Sequence, residues 1–187
     1  HEKVVLDLVL FGLHYSDRIS SVQTGALSAD GRDITQSQNI EEADIYGAEI
    51  SASWSLSAQA GADLVVNYLR GRQREAAAGT VPADRIPPLN GQLRFRYRPT
   101  DALLVAPYLF FAGSQDRLSP RDLSDSRINP AGTPGWLTAN IMASWAVSES
   151  LSLTARFENL FDHRYRVHGS GIDAVGRNLY VSMRVSW

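Results

Sequence analysis

Three side chains near the end of the chain could bind a metal ion or a haem group. His163, His168 and Asp173 lie close together in the sequence, and imidazole and carboxylate groups are common metal ligands. Their spacing follows no regular metal-binding motif, and no further metal-ligating residue is apparent next to them. One hypothesis is therefore a metal or haem site, whose metal the sequence does not identify. The other is that both histidines belong to a surface loop and bind no metal.

A second set of candidates lies in the charged run SQDRLSPRDLSDSRINP, residues 114–130. Arg117 and Arg121 are the candidate binding residues in this run. Binding residues gather on loops that a rigid scaffold holds in place, so these arginines could take part in substrate capture. The same composition is typical of a solvated loop, and the sequence leaves both interpretations open.

Hydrolysis by a serine and histidine pair is the other chemistry to consider. The chain has His14, His163 and His168 and many serines, but no G-x-S-x-G or other nucleophile context surrounds any of them. We therefore predict that the protein is not an enzyme. The absence of cysteine excludes a disulfide framework and a thiolate metal site, and a net charge of -2 argues against nucleic-acid binding.

The elements that must position these residues are strands, because apolar and polar residues alternate along most of the chain. We predict eight strands and no helix. The predicted strands cover residues 4–19, 48–56, 60–67, 89–97, 103–111, 137–147, 151–157 and 179–187. The first and fifth of these are apolar at both alternating positions, so the sequence does not assign their faces.

Short and long connections alternate between the predicted strands. Tight turns occur near residues 56–59, 98–102 and 147–151, and long polar segments cover residues 25–42, 71–88, 114–135 and 164–177. A transmembrane barrel has short turns at its periplasmic rim and long loops outside, whereas a soluble β-sandwich usually mixes its loop lengths. The pattern therefore predicts an all-β fold, a transmembrane antiparallel β-barrel.

Aromatic side chains favour the barrel over the sandwich. Four of them lie at or near strand ends beside the tight turns or the terminus: Trp54, Tyr97, Trp145 and Trp187. These ends would form one rim, as an interfacial aromatic girdle requires. The polar rows Ser51, Ser53 and Ser55 on one strand and Arg94 and Arg96 on another suit a wet lumen.

The segment FENLFDHRYRVHGSGIDAVGRNLYVSMRVSW carries a family resemblance. It is similar to the C-terminal end of TonB-dependent outer-membrane receptors, in which an Asn-Leu-Phe-Asp motif is followed by a tyrosine and the last strand opens after Gly-Arg. The matching residues here are Asn159, Leu160, Phe161, Asp162, Tyr165, Gly176, Arg177 and the terminal aromatic Trp187. The segments NIEEADIYGAEI and RIPPLNGQLRFRY resemble strand openings of the same family, so the resemblance spans essentially the whole chain.

This resemblance implies that residues 1–187 are about eight C-terminal strands of a 22-stranded barrel that encloses a plug domain. It implies an outer-membrane receptor that imports a scarce nutrient, such as a siderophore, haem, cobalamin or another metal complex, with TonB-derived energy. No intrinsic cofactor is expected. The plug and the earlier barrel strands lie outside this sequence, which opens without a signal peptide, and we expect it to be part of a longer polypeptide.

Two alternatives remain, a passive porin and a free-standing eight-stranded barrel. The interior of an eight-stranded barrel is just filled by side chains, so rows of serine would leave voids there. A wide barrel accommodates the same serines against water or a plug. The sequence therefore favours the receptor.

The resemblance also suggests partners and roles. Expected partners are the plug and earlier strands of the same receptor, the TonB complex on the plug side, the barrel-assembly machinery, and outer-membrane lipid. The charged run at residues 114–130 could touch anionic lipopolysaccharide. For the Asn159–Asp162 motif and for Gly176 and Arg177 we favour a structural role over ligand binding, and we expect Trp187 to form part of the assembly signal.

Overall fold

The computed structural model describes residues 3–75 and 78–187, which form one antiparallel sheet and one short helix. The strands are β1 Lys3–Leu27, β2 Asp33–Ser55, β3 Ala60–Glu75, β4 Gly79–Pro82, β5 Asn90–Thr100, β6 Leu103–Ala112, β7 Trp136–Ala146, β8 Leu151–Glu158 and β9 Asn178–Val185, and the helix α1 is Pro120–Ser124. The all-β antiparallel prediction is confirmed. Within this described part, no helix has the length and apolar character needed to cross a membrane.

Neighbouring strands pair in the order β1-β2-β3-β5-β6-β7-β8-β9, and the short β4 pairs only with β3. Every pairing joins strands that follow each other along the chain, apart from the step from β3 over β4 to β5. In the described residues β1 and β9 are not paired with each other, so the sheet is an open segment of wall. This meander matches the predicted succession of hairpins.

The register of the pairs assigns a face to every strand, because directly paired residues of antiparallel strands point to the same side of the sheet. Two runs of paired positions cross the sheet on one side: Leu6, Ala52, Leu64, Leu93, Leu109 and Ala139, and then Val105, Ala143, Ala155 and Val181. We call this side the apolar face. The opposite side, which carries Ser53, Asp63 and Arg94 in register, is the polar face.

The same register settles the two strands whose faces the sequence left open. Val4, Leu6, Leu8 and Leu10 of β1 pair with the apolar positions of β2, whereas Asp7 pairs with Ser51 on the polar face. In β6, the alternation places Leu103, Val105 and Leu109 on the apolar face and Tyr108 on the polar face. The apolar residues of these strands therefore contribute to both faces.

Within residues 3–75 and 78–187, no other part of the chain covers the apolar face. On central strands Trp54, Phe95 and Trp145 keep 43%, 46% and 52% of their surface exposed. Together with Tyr97, the two tryptophans lie on this face at the strand ends beside the short turns. Exposed apolar rows bordered by aromatic residues are the surface that a lipid-facing barrel wall requires.

The polar face carries side-chain networks between strands. Ser53 donates a hydrogen bond to Asp63 (2.9 Å), and Asp63 pairs with Arg96 at 2.6 Å. Tyr108 donates its hydroxyl hydrogen to Glu158 at 3.0 Å. These contacts link β2, β3 and β5 in one group and β6 with β8 in another, and they satisfy polar groups that would otherwise face each other unpaired.

Three sequence predictions about element bounds are wrong. β1 and β2 continue through most of residues 25–42, and the connection between them is only residues 28–32. β3 extends to Glu75 and pairs with β4 inside the predicted loop at residues 71–88. The helix α1 lies inside the predicted loop at residues 114–135, although we expected no helix.

Candidate functional site

Three long connections meet at the sheet end opposite the short turns. We name them outer loop 2 (residues 78–89, including β4), outer loop 3 (residues 113–135) and outer loop 4 (residues 159–177); outer loop 1 is the β1–β2 tip at residues 28–32. Gln115 of outer loop 3 donates a hydrogen bond to the Ile86 carbonyl oxygen of outer loop 2 at 2.7 Å. Thr133 and His168 join outer loops 3 and 4 through a 2.8 Å hydrogen bond.

Among the described residues, most of the buried side chains lie in these loops and not within the wall. They are Ala83, Asp84, Ile86, Gln115, Ser119, Asp122, Ile128, Thr133 and Asn159. Gly71 permits this packing, because a Cβ there would meet Ala83 at 2.7 Å and Ile86 at 2.9 Å. The polar face of β3 near Gly71 is therefore covered by outer loop 2.

Arg85 ties outer loop 2 to outer loop 3. Its Nε lies 3.5 Å from Asp122 Oδ1, and its guanidinium also pairs with Asp125. Asp122 is only 1% exposed, so this ion pair is shielded from bulk water and is stronger than a surface pair. Arg85 adopts a φ of 59°, a conformation that non-glycine residues rarely take. We call Arg85, Asp122 and Asp125 the Arg85 clasp.

Asp122 lies in helix α1, and Asp125 is the residue that caps its C-terminal end. Ser119 accepts a hydrogen bond from the Asp122 amide at 3.0 Å, and the Asp122 carboxylate accepts one from the Ser119 amide at 3.3 Å. This is a capping box with proline at the first helical position. Hydrogen bonds from the Arg127 side chain and backbone, with a further contribution from Arg85, hold the pKa of Asp125 well below its usual range.

His168 lies half-buried where the three loops meet. Burial lowers its pKa, the nearby Asp122 opposes that shift, and Arg85 adds to it. Its Nδ1 shares the hydrogen bond with Thr133, while its Nε2 is buried without a hydrogen-bond partner. A neutral imidazole fits this environment better than a charged one.

Asp173 is engaged by two arginines. Arg164 donates to it at 2.5 Å and Arg166 at 2.8 Å and 3.0 Å. These hydrogen bonds, from Arg164 first and Arg166 second, lower the pKa of Asp173. The described residues contain no group of three or more His, Asp or Glu side chains that could hold a metal ion.

His163 is exposed and is positioned through its backbone. Its amide donates to Asn159 Oδ1 at 2.9 Å, and Asn159 Nδ2 donates to its carbonyl oxygen at 2.9 Å. The imidazole is parallel to the Tyr165 ring, with centroids 6.4 Å apart. Tyr165 itself packs against Trp136 with a centroid distance of 4.3 Å.

The Asn-Leu-Phe-Asp motif forms the turn at which β8 ends. Asn159 and Asp162 both have positive φ, 53° and 55°, which asparagine and aspartate tolerate better than most residues. Asp162 accepts a hydrogen bond from the Arg177 amide at 2.9 Å, and a Cβ at Gly176 would lie 2.6 Å from the same carboxylate oxygen. Leu160 donates its amide hydrogen to the Ala139 carbonyl oxygen at 2.9 Å, and Phe161 is 82% exposed.

Two cavities open between the loops and contain most of the candidate residues. The first, of about 460 Å³, is lined by Arg85, Arg121 and Arg127, with Glu75 and Asp125 as its acidic members. The second, of about 450 Å³, is lined by residues of outer loops 3 and 4: Arg127, Trp136, His163, Arg164, Tyr165, Arg166 and Asp173. Each of these arginines already pairs with an aspartate: Arg85 and Arg127 with Asp125, Arg121 with Asp84 at 3.6 Å, and Arg164 and Arg166 with Asp173.

The structure therefore brings some candidates together and separates others. His163 and Asp173 line the second cavity, and Arg121 lines the first. His168 lines a third cavity of about 510 Å³ with Asn67, Phe110 and Trp136. Arg117 lies apart from all of them, in a notch at the upper end of β3.

Several residues that build this region are not among the predicted site residues. They are Arg85, Asp122, Arg127 and Trp136. The Ser-Pro-Arg-Asp sequence at residues 119–122 was a detectable signal, because it matches a capping box with proline at the first helical position. Nothing local in the sequence marks Arg85 as the partner of two carboxylates about forty residues away.

An exposed apolar face, a polar inner face and long packed outer loops define a segment of membrane β-barrel. A family model described as TonB dependent receptor-like, beta-barrel matches residues 2–160. The chain belongs to this TonB-dependent receptor β-barrel family, which confirms the resemblance inferred from the motifs. The structural relatives are transport receptors and not enzymes, in agreement with the missing nucleophile motif.

Solved structures of such receptors share the fold. Copper transporter OprC superposes with a TM-score of 0.82 at 18% identity, over 99% of this chain and 29% of that chain. A variant of the ferric enterobactin receptor PfeA from Pseudomonas aeruginosa gives a TM-score of 0.69 at 20% identity, over 98% and 29% of the two chains. The ferripyoverdine receptor of the outer membrane of Pseudomonas aeruginosa gives 0.66 at 16% identity, over 97% and 25%.

The chain thus spans less than a third of the length of these receptors. No curated protein sequence matches it.

Proposed function

We propose that the complete protein is a bacterial outer-membrane receptor that imports a scarce nutrient with energy supplied by TonB. In this proposal the present chain is part of the barrel wall and carries outer loops 1 to 4. The observation that carries the proposal is the family match over residues 2–160, on a sheet whose apolar face is exposed.

The role of this segment is to hold the loops that receive the ligand. The ligand reaches the outer loops, a plug domain completes the binding site, and TonB then rearranges the plug so that the ligand passes to the periplasm. The contribution of this chain is a rigid entrance: the Arg85 clasp and the Thr133–His168 hydrogen bond fix outer loops 2, 3 and 4 to one another.

We infer that the ligand is an anionic metal complex. Five arginines line the two loop cavities: Arg85, Arg121, Arg127, Arg164 and Arg166. Guanidinium groups bind carboxylate and other oxyanions in bidentate geometry, and Trp136 and Tyr165 offer flat surfaces beside them. The names of the structural relatives give copper, ferric enterobactin and ferripyoverdine as their ligands. An anionic chelate would bind here by exchanging with the aspartates that pair with these arginines.

The proposed partners are those that a plugged barrel needs. They are the plug and the remaining strands of the same receptor, the TonB complex, the barrel-assembly machinery and outer-membrane lipid. We propose no intrinsic cofactor, because the metal complex would be cargo. A passive porin remains the alternative, and no feature of the described residues favours it over the receptor.

Uptake by cells that depend on the full receptor tests the proposal. Radiolabelled ferric siderophores, haem, cobalamin and copper would be offered to a receptor deletion strain that carries the full gene, with and without functional TonB. We expect one of these to enter only when TonB is present, and R121Q and R127Q each to lower that uptake. The matched control is R98Q, which removes one positive charge at the opposite rim. Uptake that is unchanged without TonB would indicate a passive pore.

A further inference from the structure

The upper part of the β1–β2 hairpin has an edge that no third strand covers. β2 begins at Asp33, but its pairing with β3 begins only at Glu42, which lies opposite Arg74, and β3 ends at Glu75. Among the described residues, residues 33–41 of β2 therefore pair with β1 alone. We name residues 33–41 the open edge. At roughly 3.4 Å per residue, this edge is about 30 Å long.

The open edge stays open when the rest of a barrel is added. β2 has β1 on one side and β3 on the other, and further strands of the receptor would join the sheet beyond β1 and beyond β9. The backbone groups of the open edge are therefore left unpaired because β2 is longer than β3 at this end, and not because a neighbouring strand lies outside the sequence.

The composition of the open edge permits another strand to pair with it. Natural sheets protect exposed edges with lysine, proline or bulges. The open edge, DITQSQNIE, contains neither lysine nor proline, its pairing with β1 is regular from Thr35 downward, and residues 33–39 are exposed. Because a two-stranded ribbon is only marginally stable in water, a third strand along this edge would stabilise it.

The first cavity lies beside the open edge on the polar face. Its wall includes Thr35 of the open edge, Glu75 at the end of β3 and Arg121 of helix α1. Paired residues of antiparallel strands point to the same side of a sheet, so a side chain placed next to Thr35 by an added strand would point into this cavity. The edge thus offers backbone hydrogen bonds and the cavity offers a pocket for a side chain, which is the arrangement used in peptide recognition by strand addition.

Arg121 is the residue of this cavity best placed to bind a further carboxylate. Its guanidinium lies 3.6 Å from Asp84, which is long for a hydrogen bond, and its side chain is half exposed. Asp84 also accepts a hydrogen bond from Gln73 at 3.0 Å, so it keeps a partner when Arg121 turns away. Arg127, by contrast, donates to Asp125 from both Nε and Nη2. Arg121 can therefore donate two parallel hydrogen bonds to an acidic group that enters the cavity.

A second copy of the receptor does not fit the open edge. Copies in one membrane share one orientation, so their β2 strands run in the same direction. Antiparallel pairing, which joins β2 to both of its neighbours, would require one of the two copies to be inverted. The occupant is therefore a different polypeptide.

We propose that the open edge binds an extended segment of another polypeptide as an added strand, and that Arg121 binds an acidic side chain of that segment. The partner is a protein or peptide outside the cell, because the open edge belongs to the end of the sheet that carries the outer loops. The inference rests on the proposed outer-membrane orientation and does not depend on the transported ligand.

Binding of a synthetic peptide to the full receptor in nanodiscs tests the proposal. The probe is a fluorescent peptide as long as the open edge, with alternating threonine and valine and a central glutamate, and fluorescence anisotropy measures its binding. We expect replacement of the glutamate by glutamine to weaken binding by about tenfold, the scale of one charge-assisted hydrogen bond. R121Q should bind both peptides equally weakly. R98Q, which removes the same charge at the opposite rim, should distinguish them as the wild type does.

Backbone methylation of the peptide shows whether it adds as a strand. Neighbouring amides of a strand point to opposite edges, so two peptides are made, each N-methylated at one of the two alternating sets of residues. We expect one of them to lose binding and the other to keep it, and we expect the parent peptide to slow hydrogen exchange of residues 33–41. Equal binding by the two methylated peptides would overturn the proposal, as would equal binding of the glutamate and glutamine peptides by the wild-type receptor.

Uptake measured on the same strains separates this inference from the transport proposal, and heat-modifiable mobility shows that each barrel has assembled. If uptake depends on TonB while the peptides bind equally, the strand-addition site fails and the transport proposal survives. If the peptides bind as expected while uptake is unchanged without TonB, the strand-addition site stands and the transport proposal fails.

Discussion

Asn159 connects three segments that are distant in the sequence. Its amide donates to Asn140 of β7 at 2.8 Å, and its side chain bonds the backbone of His163 and donates to the Val175 carbonyl oxygen at 3.3 Å. The residue is 3% exposed, so water cannot replace these partners at low cost. One amide side chain therefore determines how outer loop 4 leaves and rejoins the wall.

We predict that N159A loosens outer loop 4. The substitution removes three side-chain hydrogen bonds to partly buried backbone groups, each of which contributes about 0.5–1.5 kcal/mol. Limited proteolysis of the full receptor should cleave outer loop 4 faster in the variant. F161A is the matched control within the same motif, because Phe161 is largely exposed, and its cleavage rate should equal that of the wild type. Equal rates for N159A and F161A would contradict the assigned role.

The packing of outer loop 4 should also depend on pH through His168. Burial lowers its pKa below the value of about 6.5 for free histidine, so the opened loop binds a proton more readily than the packed loop. The stability of the packed state is therefore complete above that ordinary pKa and decreases as the pH falls below it. Hydrogen exchange of outer loop 4 should become faster between about pH 7.5 and 5.5 after correction for the intrinsic rate. H168Q should abolish this dependence.

The sequence indicated which residues of outer loop 4 to examine, but not what they contact. His163, Asp173 and the Asn159 motif could be chosen because their residue types and the family motif are local features. The Arg85 clasp could not be predicted, since it joins residues that only the paired strands bring together. Asp173 shows the same limit, because its two arginine partners leave it poorly suited to the metal chemistry that its type suggested.

At the scale of the strands, the two faces of the sheet have opposite requirements. Leu64 lies on the apolar face and Val65 beside it lies on the polar face, paired with Ser51 and Gln92. We predict that L64R destabilises the assembled barrel by about 2–4 kcal/mol, because an arginine at mid-depth must face lipid. V65R makes a comparable change toward the lumen and should be tolerated. The stability of each variant is measured as the temperature at which its heat-modifiable gel mobility is lost. Similar midpoint temperatures for L64R and V65R would show that the faces are assigned incorrectly.

Strand bounds were predictable only where the two faces differ. Within the membrane, one face meets lipid and the other meets polar groups, so the alternation is strong and the predicted cores of the strands agree with the structure. Above the membrane, both faces of the β1–β2 hairpin meet water, so polar residues occupy both and the alternation disappears. This is why residues 25–42 were assigned to a loop although most of them form strands.

At the scale of the whole molecule, β9 forms an edge of the sheet that must pair with another strand. β9 pairs with β8 along one side, and its other side has no partner within the described residues. Trp187 follows β9 and is fully exposed. Unpaired strand edges are not tolerated at lipid depth, so the proposed barrel requires this edge to pair with a strand from elsewhere in the receptor.

We predict that deletion of Trp187 lowers the amount of assembled receptor in the outer membrane. If the terminal aromatic residue is part of the signal read by the barrel-assembly machinery, its loss slows assembly without changing a contact inside this chain. Immunoblotting of unheated and heated outer-membrane fractions measures the assembled fraction. W187F keeps an aromatic residue and should assemble at the wild-type level. If the deletion variant also assembles at the wild-type level, Trp187 is not part of the assembly signal.

The position of the buried side chains affects the order in which the wall folds and the loops pack. The wall is joined mainly by backbone pairing and its apolar face needs lipid, while most of the buried side chains of the described residues lie among outer loops 2, 3 and 4. The wall can therefore form before the loops have packed, and the loops can come apart while the wall persists. The molecule should melt in two separate stages, an early one for the entrance and a later one for the membrane-embedded sheet.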